Sequence, residues 1–163
     1  MTAVTLLDSL RDFIAEQVKE YAYEFTRPGK IIETKSPVVY SGYLPIRTSH
    51  EVEYSPCVIV KLVKINDNQD ETSADVRIVF TVHDEDNTDN WRSQLNIMEH
   101  VRQALLMQRT IANKFRLSLP LSYEPAEYSQ LPYPEGYGFL NATYSIGQPI
   151  EEDLLREYYG KEL

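Results

Sequence analysis

The 163-residue chain is poor in cysteine, glycine and basic charge. Cys57 is its only cysteine, which excludes an internal disulfide and a cysteine-based zinc site. The setting of that residue, Ser55-Pro-Cys-Val-Ile-Val60, is apolar and predicts a buried structural thiol. Glycine occurs six times, and none of the six opens a phosphate-binding loop, a dinucleotide fingerprint or a Gly-x-Ser-x-Gly elbow. Sixteen Lys and Arg stand against 25 Asp and Glu, a formal net charge of −9. That balance argues against duplex nucleic acid as a tight partner, because such affinity comes largely from cations on phosphates. No hydrophobic run approaches the roughly 20 residues of a membrane span. The Met1–Asp8 stretch lacks the basic region and apolar core of a signal peptide. The expectation is a protein made and kept in a cytoplasm, or in something assembled there, with no membrane partner.

Metal and catalytic signals are equally thin. His50, His83 and His100 have no histidine partner at helical ligand spacing. The densest acidic cluster is His83-Asp84-Glu85-Asp86 with Asp89. Read as a calcium loop from Asp84, it has Asp89 where the turn needs Gly and Leu95 where the closing Glu belongs. A looser cation site there competes with helix capping and a solvated strand end, and capping is the stronger reading. The Asn66–Glu71 turn fails the same test. Glu33-Thr-Lys35 is a formal nuclease-like tripeptide, but it sits in an arm with no strand pattern to aim it. A Ser/His/Asp assembly stays open, because triads are built in space. The sequence therefore offers no catalytic, cofactor-binding or metal-binding residue, and the expectation is a protein that is not an enzyme.

What is present is periodic. Hydrophobic residues make up 42% of the chain, enough for a core in one domain spanning 1–163. Leu6, Leu7, Leu10, Phe13, Ile14, Val18, Tyr21 and Phe25 recur at 3.6 spacing and predict a helix over Thr5–Phe25, with Asp8 and Asp12 near its start. An unpatterned arm of about 26–56 follows, either extended or holding a short hairpin. Cys57–Ile65 is apolar on both faces and predicts a covered, central strand. Ala74–Val82 alternates and pairs with it as an antiparallel hairpin. A second helix is expected over Asp89–Gln108, lined by Trp91, Leu95, Met98, Val101 and Leu105 and capped by Asn87, Thr88 or Asp89. Phe115–Leu119 reads as a third strand.

The clearest pattern lies in Leu131–Pro149. A Pro/Tyr/Gly approach feeds a strand over Tyr137–Ile146. Gly138, Leu140, Ala142, Tyr144 and Ile146 face one way; Phe139, Asn141, Thr143 and Ser145 face the other. A short final helix or tail fills about 149–163. The fold class that follows is α+β. It has a four-stranded mixed or antiparallel sheet, both long helices packed on one face, and an arm or hairpin after the first helix. Twelve tyrosines, five of them between Tyr123 and Tyr144, suit protein contacts better than chemistry.

Four stretches carry a resemblance. They are Gly42-Tyr-Leu-Pro45; Ser55-Pro-Cys-Val-Ile-Val60; Asn90-Trp-Arg-Ser-Gln-Leu-Asn-Ile-Met-Glu-His-Val-Arg-Gln-Ala-Leu-Leu106; and Gln130-Leu-Pro-Tyr-Pro134 with the Gly-Phe-Leu-Asn-Ala-Thr-Tyr that follows. Over most of its length the chain resembles tail terminator (tail completion) proteins of tailed bacteriophages and phage-tail-like particles of Gram-positive bacteria. The resemblance implies a homo-oligomer, a hexameric ring on the head-proximal end of the tail tube. Such a ring ends tube polymerisation and offers a surface to the head connector. Implied partners are the tube protein, a sheath protein where one exists, and DNA only as it passes through. The implied location is the neck of the virion tail, assembled in the host cytoplasm. Candidate interface residues on this reading are Tyr43 and Leu44 in the arm, Asp67, Asp70 and Glu71 in the first hairpin, and Tyr133 and Tyr137 near the last strand. A head–tail adaptor or stopper is a second reading. A small metal-dependent enzyme or ligand-binding domain using Asp84–Asp89 is a third.

Overall fold

A computed structural model of the chain describes residues 2–20, 23–27, 31–43, 56–83, 90–125, 135–152 and 159–160. Helix α1 spans Ala3–Val18. Thr2 caps it, its hydroxyl accepting the backbone N–H of Thr5 at 3.3 Å. The helix stops seven residues short of Phe25, where the apolar spacing had carried it, and the first turn holds no acid. Phe25 instead lies in strand β1, Tyr23–Arg27, which pairs antiparallel with β2, Ile31–Lys35. The arm thus contains a hairpin, and Glu33 and Lys35, expected to lack a strand, fall within one.

The remaining strands form one six-stranded sheet where the sequence suggested four. They are β3 (Val38–Ser41), β4 (Cys57–Asp67), β5 (Thr72–His83), β6 (Thr110–Ile111), β7 (Phe115–Pro125) and β8 (Glu135–Ile146). Their order is β3-β4-β5-β8-β7-β6. The β3–β4 pair is parallel and all others are antiparallel, so the sheet is mixed. The two strands missed by pattern are the two edges, four and two residues long, too short to show an alternation. Strand β7 runs on past Leu119 through Pro120 and Leu121, with a register shift between Ser118 and Ser122. Proline is tolerated there because β7 lies beside the short edge strand, where few ladder donors are needed.

Helix α2 spans Asn90–Met107 and lies between β5 and β6 in the chain. Its expected capping residues, 87–89, lie outside the described residues, as does most of the expected final helix. Both helices share one core with one face of the sheet. Leu6, Leu10, Ile14 and Val18 of α1 and Ile97, Met98, Val101 and Leu105 of α2 are buried against Val58, Val60, Val76, Ile78, Phe80, Leu140 and Ala142. Trp91 departs from its expected place on that stripe: it is exposed, and the Arg92 guanidinium sits 4.5 Å from its ring centroid. The α2 stripe is completed instead by Ile97 and Gln94.

Strand β8 follows its alternation. Gly138, Leu140, Ala142 and Tyr144 are buried under the helices, with Ile146 half-buried at the end of the row. Gly138 is required by close approach. A Cβ there would stand 2.7 Å from the Tyr123 hydroxyl and 2.8 Å from the Gln94 amide nitrogen. Strand β4 corrects another expectation. Its first four residues are buried, but Leu62, Val63 and Ile65 are exposed. The strand is central over its first half only.

Candidate functional site

Two parts of the sheet present organised surface. The first is the far end of the β4–β5 hairpin. The backbone N–H of Asn68 bonds the Glu71 carbonyl at 2.9 Å, pairing the two strands across the Gln69–Asp70 tip. Thr72 donates its hydroxyl to the Asp67 carboxylate at 2.7 Å, locking the strand end. The Gln148 amide, just beyond β8, reaches the Asn68 carbonyl at 2.9 Å. Between turn and β8 end lies an open cleft of about 630 Å³, walled by Asp70, Glu71, Glu151, Ile146 and Ile150. Three carboxylates beside two aliphatic side chains suit a basic, partly apolar contact. Asp67 is spoken for by the turn; Asp70 and Glu71 are exposed.

The second surface is the sheet face turned away from the helices. It is graded along the strands. At the end where β4 begins, Cys57, Ile59 and Val79 are buried and packed with Tyr40 and Phe139. The Cys57 thiol lies 2.9 Å from the Thr81 hydroxyl, and the thiol is buried as its sequence setting predicts. One ladder step on, the Arg77 guanidinium stands 4.3 Å over the Phe139 ring and its Nε donates to Asn141 Oδ1 at 3.0 Å. Asn141 in turn donates to Glu124 at 2.6 Å. Next, Asp75 accepts from Thr143 at 2.7 Å and from Asn66 at 3.2 Å. A hydrogen-bonded row thus crosses strands β5, β8 and β7. The polar residues of β8, Asn141 and Thr143, are fixed by their own sheet.

Under the helices the chemistry is different. Tyr123 donates to Gln94 Oε1 at 3.2 Å, and burial pushes its phenol above the usual value. Burial alone pushes the Tyr144 phenol up more strongly. Among the described residues the Tyr144 hydroxyl and the Gln94 amide nitrogen are buried without a hydrogen-bond partner. They lie in the packed core rather than at an opening.

The residues expected at an interface are brought to separate places. Asp67, Asp70 and Glu71 lie together at the hairpin end. Tyr137 is in β8 opposite Thr81, near the other end of the sheet. Tyr43 follows β3 and is 85% exposed. Its backbone N–H bonds the Ser41 carbonyl at 3.1 Å around Gly42, whose φ of 78° a side chain would resist. Leu44, Tyr133 and the Asp84–Asp89 cluster lie outside the described residues. Exposed Leu62, Val63 and Ile65 were missed as contact candidates, because their apolar pattern reads as core. His100 is exposed, with a ring nitrogen 2.8 Å from the Gln17 carbonyl.

Among the described residues no group of three or more His, Cys, Asp or Glu is placed to hold a metal ion. Among them too, no helix is long and apolar enough to cross a membrane. Compared with known proteins, the chain matches no family model and no curated sequence closely enough to count as a relative.

Proposed function

We propose that this chain is a structural protein of the phage-tail neck. It forms a ring that caps the head-proximal end of the tail tube, ends tube polymerisation and presents a surface to the head connector. The motif resemblance motivates this reading, and the α+β class with both helices on one face of the sheet is compatible with it. One observation favours an assembly role above chemistry. The exposed half of β4 sets Leu62, Val63 and Ile65 on the surface next to an acidic hairpin end, a layout suited to contact with protein. In the ring, Asp70 and Glu71 face the channel or the tube-facing rim, where carboxylates repel passing DNA. A chain with a net charge of −9 is suited to that task.

Light scattering of the purified protein tests the ring: a mass of six chains supports it, and a monomer at every concentration removes it. Replacing Asp70 and Glu71 by Asn and Gln is expected to leave stability within about 0.5 kcal/mol, as for surface sites without special contacts. The same change is expected to disturb tube capping or DNA passage in assembled particles. Unchanged assembly and infectivity would remove the acidic end from the mechanism.

A further inference from the structure

Strand β3 covers only the first half of β4. The pairing runs from Val38–Cys57 to Ser41–Val60, and the Gly42 N–H makes the final bond to the Val60 carbonyl at 2.8 Å. From Lys61 to Asp67 no strand among the described residues pairs with that side of β4. Because Val60 directs its carbonyl toward β3, alternation sends the backbone groups of Lys61 toward β5 and those of Leu62 outward. The register shift between Leu62 and Lys64 resets the count. Lys64 then faces Asp75 in the ladder, and Ile65 and Asp67 present their N–H and C=O to the outside. The side chains at this edge include exposed Leu62, Val63 and Ile65.

Such an edge is a hazard unless something covers it. The opposite margin of the sheet is guarded: β7 carries Pro120 and Pro125, which offer no N–H to an incoming strand. The β4 edge from Lys61 to Asp67 has no proline. The chain also holds a hairpin that pairs with no third strand among the described residues. β1 and β2, five residues each, form a sheet of their own, separate from the six-stranded one. Two-stranded ribbons are marginal in water and gain stability from another strand.

We infer that β2 of one copy adds to the Lys61–Asp67 edge of β4 of the next copy, an edge unpaired among the described residues, and extends the sheet across the subunit boundary. This rests on the ring reading. The donor and acceptor are different parts of one subunit, so the contact is heterologous and repeats around a ring until it closes. A parallel arrangement continues the direction in which β3 already joins β4. With Glu33, the middle of β2, set level with Lys64, Lys35 comes level with Asn66, next to Asp67. In that register the sequence positions of Glu33 and Lys64 carry charges of opposite sign.

The test uses the full chain and begins with the wild-type scattering mass. Ile65→Pro removes an outward N–H that β5 does not use, and is expected to reduce the assembly to monomer while the melting temperature stays within a few degrees. Lys64→Glu is expected to weaken assembly at least tenfold, with recovery when Glu33→Lys is added. Glu33→Cys and Lys64→Cys chains, mixed and treated with a short thiol cross-linker, are expected to join into covalent dimers. The double-cysteine chain is expected to give a ladder up to the ring. Cross-links confined within single chains would overturn the inference, as would a ring indifferent to Ile65→Pro and to the charge swap; either leaves the ring reading standing. A wild-type monomer at every concentration overturns both.

Discussion

The two faces of the sheet are built on opposite logic. Under the helices the rows Val58–Phe80–Gly138 and Val60–Ile78–Leu140 are apolar and closed, and stability there comes from area removed from water. On the other face the neighbouring row Lys61–Arg77–Asn141–Ser122 is polar and held by directed bonds. Each face is carried by the same four strands, one residue out of phase. The difference shows that period 2 in a strand separates two interaction types. It does not separate a structured face from an idle one.

Substitutions can break that contrast or sharpen it. Phe80→Ala empties a fully buried position under the helices and is expected to cost about 3–5 kcal/mol in chemical denaturation. Gly138→Ala pushes a methyl group against Tyr123 and Gln94 and is expected to cost about 1–3 kcal/mol, with loss of their hydrogen bond. Arg77→Ala on the open face removes the stack on Phe139 and the bond to Asn141, for about 1–2 kcal/mol. If Arg77→Ala cost as much as Phe80→Ala, the two faces would not differ as described. Tyr144→Phe deletes a buried hydroxyl that has no partner among the described residues, and is expected to raise the urea midpoint by about 1 kcal/mol of stability.

The smallest effect lies on the surface of α2. Arg102 donates to the Glu99 carboxylate at 3.1 and 2.9 Å and holds that carboxyl below its ordinary range. A depressed folded pKa gives stability that is present above the unfolded value, near 4.3, and is lost as pH falls through the folded one. For a solvent-exposed helix pair the gain is about 0.5 kcal/mol or less. Glu99→Gln is expected to flatten that part of the stability profile below pH ~4.3, measured at low salt, and to leave neutral pH almost unchanged.

The sequence made some of this legible and hid the rest for physical reasons. Strand β8 was readable because its alternation is long and unbroken. Helix α1 was readable to Val18; Tyr21 and Phe25 happen to continue its spacing, although Phe25 belongs to a strand. Leu62, Val63 and Ile65 look in sequence like Val58 and Val60, yet they are 39%, 52% and 45% exposed against 0% for those two. Hydrophobicity cannot reveal how far a helix reaches along a sheet. The acidic hairpin end was found because turns declare themselves in Asn and Asp. The edge beside it, unpaired among the described residues, was not, since which strands lie next to each other is a property of topology.

Cys57 gives the molecule a built-in clock. It is the only cysteine and is buried between Ile59, Val79 and the Thr81 hydroxyl, so a thiol reagent reaches it only when the start of β4 comes away. Its labelling rate, set against that of an unprotected thiol, reports how often this part of the sheet breathes. Whatever binds the open face near Phe139 and Tyr40 should slow that rate without touching the sulfur.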